Sequence, residues 1–385
     1  MPPAVYAAGG IFYDVTIVME RKLTRVVTGM SGGVDSSVAA ALLVERGFDV
    51  VGITIKTYQY EDVGGNVAND TSCCSLDGIN DARRTAAQLG SAHYVVDFTV
   101  PFKERVIDYF IDGYMQGTTP NPCVQCNRHI KWRQMIQKAD ALGAEYIATG
   151  HYARLSQDRI SGRFFISRAA DMHKDQSYAL WNVAQEDLAR TIFPLGEMTK
   201  SQVRETAVRF GLDIAAKKES YEICFIPDND YARFLRENVS GLESKVTGGA
   251  IQYKGNKIGE HDGYPFYTIG QRRGLNVSVG TPVFVTNIDR ETNTLILDDE
   301  SALLHRGLRA SQTNFMKYAS LEMPMKVSAK IRYKDEGAPA IVKQTSENSF
   351  ELIFEEPRRA ITPGQSVVLY EGNDIVAGGI ITEWF

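Results

Sequence analysis

The segment GMSGGVDSS, residues 29–37, combines glycines and hydroxyl side chains as a phosphate-binding loop requires. Gly32 and Gly33 let the backbone approach a ligand closely, and the serines add hydroxyl donors. The helix expected after the loop points its N–H groups and positive dipole end at a bound anion. The loop has no Gly-Lys-Ser/Thr triplet, so it is not a Walker A loop, and Asp35 is placed to reach a phosphate through Mg²⁺. The segment predicts an anion site rather than a turn that merely caps a helix.

Cysteine side chains supply a second kind of chemistry. Cys123 and Cys126 form a C-x-x-C pair in TPNPCVQCNRHIKW, inside a stretch, residues 113–139, that has no acidic residue. A basic neighbourhood lowers the pKa of a thiol and favours the nucleophilic thiolate. A structural zinc site would need a second such pair. Cys224 taken alone is typical of core filling.

The composition is that of a globular chain of 385 residues, with 44% hydrophobic and 23% charged residues and a formal charge of −5. These values exclude a mainly disordered chain, a collagen-like repeat and a disulfide scaffold. No stretch offers about 18 consecutive apolar residues, so we expect no transmembrane helix and no membrane partner. The absence of an export or transit signal predicts a cytoplasmic, reducing location, and residues 1–18 could precede a true start at Met19. Cys73 and Cys74 are assigned no role.

Alternating strands and helices position the loop. Buried strands are predicted at residues 23–28, 50–55 and 146–149, with helices at residues 38–46 and 133–142. The sequence therefore predicts a doubly wound, parallel α/β domain that binds its ligands beyond the carboxyl ends of the strands. From about residue 281, short alternating strands predict a small antiparallel β-barrel.

Eight segments of the chain occur together in one order. They are GMSGGVDSS, TPNPCVQCNRHIKW, ATGHYAR, KDQSY, SYEICFI, HDGYPFYTIGQRRGL, IRYK and TPGQSVVLY. The set resembles the tRNA-specific 2-thiouridylases, the tRNA-uridine 2-sulfurtransferases of the MnmA/TrmU type, and its first segment resembles the PP-loop of the N-type ATP pyrophosphatases. The resemblance implies a PP-loop ATP pyrophosphatase domain, a central tRNA-binding domain that carries the second catalytic cysteine, and a C-terminal β-barrel, at residues 1–216, 217–281 and 282–385.

The resemblance also implies an ATP site and a tRNA surface. ATP, with Mg²⁺, would contact Gly29, Met30, Ser31, Gly32, Gly33, Val34, Asp35 and Ser36 in the loop, and Ile55 and Gly150 near the adenosine. The target base would be flipped out to contact Asn121, Pro122 and Cys123. Further tRNA contacts are implied at His151, Lys174, Asp175, Gln176, Arg332, Tyr333 and Gln365.

The chemistry implied by the resemblance uses two cysteines. Cys126 matches the family's nucleophile, and Cys224 matches the cysteine that carries a persulfide. ATP would adenylate the uridine O2, and sulfur from the persulfide would then displace AMP. Many members have Asp where this chain has Cys123, and the ordinary pKa is about 8.5 for a thiol against about 3.9 for Asp. As an alternative sulfur carrier, Cys123, Cys126 and Cys224 could hold a 4Fe–4S cluster; the sequence indicates no other metal site.

Two other functions fit parts of the pattern. A PP-loop ligase that adenylates a small metabolite would use ATP but would need neither Cys126 nor Cys224. A non-catalytic RNA-binding or sulfur-carrier protein would not turn over ATP. For the thiouridylase, the resemblance implies the tRNAs for glutamate, glutamine and lysine as substrates, and a cysteine desulfurase or a sulfur relay as the sulfur donor.

Overall fold

The structure is a computed structural model that describes residues 23–58, 76–216 and 223–385. The tail 1–18, Met19, Cys73 and Cys74 lie outside the described residues. Of the helices in the described ranges, none has the length and apolar character that a membrane crossing needs.

Strands and helices alternate in the first half of the chain, and strands dominate the second half. The strands are β1 (Arg25–Gly29), β2 (Asp49–Lys56), β3 (Ala92–Asp97), β4 (Tyr146–Ala148), β5 (Ala153–Gln157), β6 (Phe164–Arg168), β7 (Thr191–Ile192), β8 (Gly249–Tyr253), β9 (Asn256–His261), β10 (Phe284–Asp289), β11 (Thr294–Asp298), β12 (Leu304–Phe315), β13 (Met325–Lys330), β14 (Ala338–Ser346), β15 (Ser349–Arg359), β16 (Ser366–Glu371) and β17 (Asp374–Trp384). The α-helices are α1 (Val34–Glu45), α2 (Leu76–Gln88), α3 (Thr99–Phe102), α4 (Asp108–Met115), α5 (Pro122–Gln125), α6 (Met135–Ala141), α7 (Gln185–Leu188), α8 (Lys200–Arg209), α9 (Tyr231–Asn238) and α10 (Leu242–Val246). Wide π-helical turns occupy Lys103–Ile107 and Cys126–Gln134, and short 3₁₀ turns occupy Ser177–Leu180, Asp213–Ala216, Tyr264–Phe266 and Glu300–Leu303.

A parallel sheet forms the N-terminal part, with its strands in the order β3-β2-β1-β4-β7. Val26 of β1 packs with α1 and α2 on one face, and Val27 packs with α6 on the other. Strand β1 pairs with β2 on one side and with β4 on the other, so the chain changes direction across the sheet at β1. The loops after β1 and β4 therefore open at the same edge, where ligands of such sheets bind. The predicted doubly wound α/β domain is confirmed.

Two predicted helices start earlier than expected. Helix α1 begins at Val34, because Gly33 takes the extended conformation of a helix cap and the following residues already turn helically. The helix predicted from residue 133 begins at Pro122, since Asn121 is extended and proline suits the first helical turn. It continues through the π-helical stretch into α6, so Cys123 and Cys126 lie on a helix.

A second sheet covers the middle of the chain, with strands in the order β10-β11-β8-β9. Its strand β11 pairs in parallel with β8, while β8 with β9 and β10 with β11 are antiparallel. The sheet therefore extends across residue 281, where the sequence places the boundary between the second and third domains. That boundary stays a prediction.

Six described strands close into the antiparallel barrel that the sequence predicts. They follow the order β12-β15-β14-β13-β16-β17, and β12 pairs with β17 to complete the ring. Leu352 of β15 faces Leu308 and Val342, and all three side chains are fully buried. The hairpin β5–β6 of the N-terminal part joins the same sheet beside β17, through Ser167 and Asp374.

Substitutions on the two faces of β15 test this barrel. We expect Leu352→Ala to lower the free energy of unfolding by about 2–5 kcal/mol, because it leaves a cavity in the barrel. The side chain of the neighbouring Ile353 is 48% exposed. Ile353→Ala should therefore change the free energy of unfolding by about 0.5 kcal/mol or less. Urea unfolding of both full-length variants measures the difference, and equal losses would contradict the inward orientation of Leu352.

Candidate active site

The phosphate loop joins β1 to α1 and is held by its own serines. The Ser31 N–H donates to Ser36 Oγ at 3.1 Å, and the Ser36 hydroxyl donates to the Gly33 carbonyl, also at 3.1 Å. Gly32 has φ +72°, and a Cβ on it would overlap the backbone of Gly78 in α2. Only glycine fits this position without strain. The loop thus presents a tight backbone turn to the amino end of a 12-residue helix.

Gly150 brings the end of β4 against this loop. A Cβ on Gly150 would lie 2.7 Å from Ser36 N, so the two backbones meet at a distance that only glycine allows. On the other side of the loop, the Met30 N–H donates to the Ile53 carbonyl at 2.8 Å, and Thr54 donates to the Met30 carbonyl at 2.6 Å. Ile55 is half-buried one residue farther along β2. The residues predicted to bind ATP, Gly29–Ser36 with Ile55 and Gly150, therefore lie at the ends of three adjacent strands.

Asp35 has two partners that sequence reasoning missed. The Tyr152 hydroxyl and the Lys200 ammonium each donate to Asp35 Oδ1 at 2.7 Å. Both donors therefore use the same oxygen of the carboxylate. Mg²⁺ typically binds through one or two carboxylates together with substrate phosphates, so the single carboxylate of Asp35 fits a magnesium–ATP complex.

The C-x-x-C pair lies on the helix that starts at Pro122. Cys123 in α5 is exposed, and Cys126 is half-buried at the start of the π-helical stretch. π-helical turns inside helices are frequent at functional sites. The side-chain amide of Asn127 donates to the Ala179 carbonyl at 2.8 Å, and Arg128 donates to the Asn182 side chain at 2.7 Å. The segment 177–182 thus fixes the helix that carries both cysteines.

Cys224 and Cys126 pack against the same apolar cluster. Within this cluster, Phe225 contacts the rings of Phe102, Phe110 and Phe234 at centroid distances of 5.7, 5.4 and 5.3 Å. Since Phe102 and Phe110 belong to the helices after β3, the cluster attaches the Cys224 segment to the N-terminal domain.

A hydrogen bond also attaches Cys224 to β2. The Tyr58 hydroxyl donates to the Cys224 carbonyl at 3.0 Å, and Tyr58 lies two residues beyond the end of β2. The structure thus brings the second cysteine to the same region as the first, and Tyr58 had no distinguishing signal in the sequence.

The three cysteines do not form a metal site in this arrangement. Among residues 23–58, 76–216 and 223–385, no group of three His, Cys, Asp or Glu side chains could hold a metal ion. The 4Fe–4S alternative on Cys123, Cys126 and Cys224 is therefore not supported by the structure.

The barrel completes the loop that precedes the cysteine helix. The Thr119 N–H donates to the Pro363 carbonyl at 2.9 Å, and the Gln365 side chain donates to the Thr119 carbonyl at 3.0 Å. The hydroxyl of the fully buried Tyr178 donates to the Ser366 carbonyl at 2.8 Å. Gln365 therefore lies near the segment of Asn121, Pro122 and Cys123, and the contact of these residues with tRNA stays a prediction.

The remaining predicted tRNA contacts form a second group. Tyr333 donates to the Asp175 carbonyl at 3.4 Å, which joins the barrel to the segment Lys174, Asp175 and Gln176. Arg332 and Tyr333 are exposed. Gln176 pairs with Tyr152 through its N–H and its side-chain oxygen, both at 2.9 Å. Because Tyr152 also binds Asp35, contacts run from this surface to the phosphate loop.

His151 follows β4 and has a neutral ring. Its Nδ1 is 2.8 Å from Thr149 Oγ1, and its Nε2 is 3.5 Å from the Lys131 ammonium. Because an ammonium can only donate, Nε2 is the acceptor and Nδ1 carries the proton. Burial, and secondly the charge of Lys131, lower the pKa of His151 well below its usual value of 6.5. The ring is thus a neutral hydrogen-bonding group at neutral pH.

Comparisons with known sequences identify the family of the chain. A family model described as "tRNA methyl transferase HUP domain" matches residues 24–228, one described as "tRNA methyl transferase PRC-barrel domain" matches residues 234–299, and one described as "Aminomethyltransferase beta-barrel domain" matches residues 305–381. The tRNA-specific 2-thiouridylase MnmA of Salinibacter ruber is 52% identical over 364 residues, which cover 94% of this chain and 95% of that protein. The chain belongs to the MnmA family of tRNA-specific 2-thiouridylases. The resemblance seen in the sequence is confirmed.

Other MnmA proteins align over similar lengths. The relative from Cytophaga hutchinsonii is 47% identical over 94% of this chain and 99% of that protein. The relative from Clostridioides difficile is 45% identical over 93% of this chain and 98% of that protein. The three matched ranges correspond to the parallel sheet with the cysteine segments, the sheet β8–β11, and the barrel.

The conformation of the MnmA phosphate loop is tested by two neighbouring glycines. We expect Gly32→Ala to lower the free energy of unfolding by about 1–2 kcal/mol or more, because alanine is strained at a positive φ and its methyl group meets Gly78. Gly33 has φ −96°, and a Cβ on it would lie 3.5 Å from Ser31 Oγ, an ordinary contact. Gly33→Ala should therefore change the free energy of unfolding by about 0.5 kcal/mol or less, as measured by thermal unfolding. Equal stability of the two variants would refute the loop conformation.

The neutral state of the His151 ring is tested by NMR. We expect the His151 ring to remain unprotonated from about pH 8 to about pH 6, where an ordinary histidine titrates. Lys131→Met should raise the pKa, because it removes a nearby positive charge. The pKa is lowered in the folded state, so this histidine costs stability as pH falls below 6.5, when the unfolded chain binds the proton. A ring that titrates at its usual pKa would show that burial does not control it.

Proposed function

We propose that this protein transfers sulfur to C2 of the wobble uridine of tRNA at the expense of ATP. The observation that carries the proposal is that Cys126 and Cys224, far apart in sequence, pack on one apolar cluster. Tyr58 holds the same cluster to the strand end beside the phosphate loop. A site that only adenylated a small metabolite would not need the two cysteines together, and a passive RNA-binding protein would not need the loop. The proposal places the enzyme in the cytoplasm with its tRNA.

In the first step, the uridine O2 attacks the α-phosphorus of ATP. The bond from this phosphorus to the bridging oxygen breaks, and pyrophosphate leaves with the electron pair. The backbone N–H groups at the start of α1 would bind the phosphates. Asp35 would hold Mg²⁺, which would offset phosphate charge. The product is a uridine whose O2 leaves readily as part of AMP.

In the second step, the terminal sulfur of a persulfide on Cys224 attacks C2, and AMP leaves. The Cys126 thiolate then attacks the Cys224 sulfur and breaks the sulfur–sulfur bond, whose electron pair stays on the sulfur of the new 2-thiouridine. A Cys126–Cys224 disulfide remains, and an external thiol must reduce it before the next turnover. Packing of both cysteines on one cluster supports this exchange, since it needs the two sulfurs to meet.

Cys123 would act on protons rather than on sulfur. It stands where many family members have Asp, next to Pro122, and it is exposed at the start of the cysteine helix. A thiol can give or take a proton near its ordinary pKa of about 8.5. It would act together with Asn121 and Pro122 at the flipped target base.

The tRNA would lie across the surface that joins the N-terminal domain to the barrel. Gln365 beside the base-contact segment, and Arg332 and Tyr333 beside residues 174–176, supply contacts from both sides. His151 would add a neutral hydrogen-bonding group. RNA is commonly read as splayed bases of single-stranded loops, which suits an anticodon target. The substrates would be the tRNAs for glutamate, glutamine and lysine, and a cysteine desulfurase or a sulfur relay would supply the persulfide.

Nucleoside mass spectrometry tests the function. Anaerobic protein is incubated with ATP, Mg²⁺, a persulfide donor and unmodified glutamate tRNA. We expect 2-thiouridine to form only when ATP is present. Its formation should be lost in Cys126→Ser and Cys224→Ser. In Cys123→Ser the rate of formation should fall, and its dependence on pH should change. The loss in the first two variants should exceed 100-fold, roughly, because each removes a group that forms a covalent bond.

The controls separate the rival functions. ATP–pyrophosphate exchange without tRNA, unaffected by serine at Cys126 or Cys224, would point to a small-molecule ligase. Binding of tRNA without ATP turnover would point to a binding protein. The binding of tRNA should weaken as the salt concentration rises, because protein contacts with phosphates release counterions from the RNA.

A further inference from the structure

Lys200 occupies a fixed position beside the phosphate loop. It is the first residue of α8, whose start is fixed by reciprocal hydrogen bonds between Thr199 and Gln202. The Lys200 N–H donates to Asp171 Oδ2 at 2.9 Å. Helix α8 packs on α1 through Val203 and Ala207. The direction of the Lys200 side chain is therefore set by a helix that packs on the one beginning at the loop.

The ammonium group of Lys200 reaches the loop itself. Its Nζ lies 2.7 Å from Asp35 Oδ1, and the Lys200 side chain is only 13% exposed. Tyr152 donates to the same oxygen. Holding a lysine side chain in a mostly buried place costs conformational entropy and hydration, and a buried ion pair often gives little net stability in return. The position of this lysine is thus better accounted for by a ligand than by stability.

The charges at the loop require a cation. Residues 29–37 contain no Lys or Arg, so the loop lacks the lysine with which a Walker A loop binds phosphates. Triphosphate is strongly anionic, and the Asp35 carboxylate adds a negative charge at the same place. Asp35 would hold one Mg²⁺, which would offset part of this charge. The Lys200 ammonium brings a further positive charge into direct contact with the loop.

We propose that Lys200 binds the β- and γ-phosphates of ATP and stabilises pyrophosphate as it leaves. This inference rests on the proposed function and deepens it. With Mg²⁺ held on Asp35, the Lys200 ammonium would turn from Asp35 Oδ1 to the phosphates. During adenylation the electron pair of the broken phosphorus–oxygen bond moves onto pyrophosphate, and an ammonium placed there stabilises the charge as it develops.

Ligands of different phosphate number separate this role from a structural one. We would measure the binding of α,β-methylene-ATP with Mg²⁺, of inorganic pyrophosphate and of AMP by titration calorimetry. Lys200→Gln should lower the binding affinity for the ATP analogue and for pyrophosphate about 10- to 100-fold, as expected for a lost hydrogen bond to a charged group. Binding of AMP should change by about twofold or less, because AMP lacks the β- and γ-phosphates. Lys200→Arg should restore part of the affinity for the ATP analogue.

A matched control lies on the same helix. Arg209 of α8 pairs with Glu45 of α1 at 2.7 Å, away from the loop. Arg209→Gln removes a second ion pair between the same two helices and should leave all three affinities unchanged. Thermal unfolding of each variant shows that it is folded.

The results distinguish failure of this inference from failure of the proposed function. If Lys200→Gln weakened the binding of the ATP analogue and of AMP equally, Lys200 would only order the loop. If it weakened neither, Lys200 would not touch the ligand. Either result overturns the inference. Failure of the unsubstituted protein to bind the ATP analogue would overturn the proposed use of ATP, and this inference with it.

Discussion

The contact between Gly150 and the first turn of α1 is the constraint on which the site depends. The two backbones approach so closely that a side chain on Gly150 would overlap Ser36. Because the end of β4 rests there, His151 and Tyr152 continue directly past the phosphate loop. Tyr152 then binds Asp35 with its hydroxyl and Gln176 with its backbone. One close approach of glycine thus sets the distance between the phosphate loop and the segment that contains Gln176.

The features that sequence predicts well are those formed by neighbouring residues. The strand, loop and helix around GMSGGVDSS are local, so periodicity and glycine placement indicate them, and the alternating strands of the barrel are local as well. The predicted start of one helix at residue 133 was wrong, since the helix begins at Pro122. The segment TPNPC is typical of a loop, but proline also suits the first turn of a helix. Lys200 and Tyr58 could not be found, since a lysine at a helix start and a tyrosine after a strand are common surface and core residues. Their roles come from contacts with distant parts of the chain.

The two thiol positions illustrate the same limit. Spacing along the sequence could not place Cys224 on the apolar cluster that Cys126 also contacts, because the placement depends on how Phe225 packs with Phe102, Phe110 and Phe234. Family resemblance implied that the cysteines meet, and in the structure both pack on one apolar cluster. The cluster is built from large, fully buried rings, which hold position better than flexible side chains would.

The hydrogen bonds between the barrel and the loop before the cysteine helix have a consequence for synthesis of the chain. Thr119 and Gln365 are 246 positions apart, so the loop leaves the ribosome long before its partner exists. A nascent chain already contains the phosphate loop, Cys126 and Cys224 while the loop at Thr119 still lacks its hydrogen-bond partners in the barrel. The barrel closes with β17, the last strand. Fragments that end before Gln365 therefore lack the hydrogen-bond partner that this residue provides to Thr119.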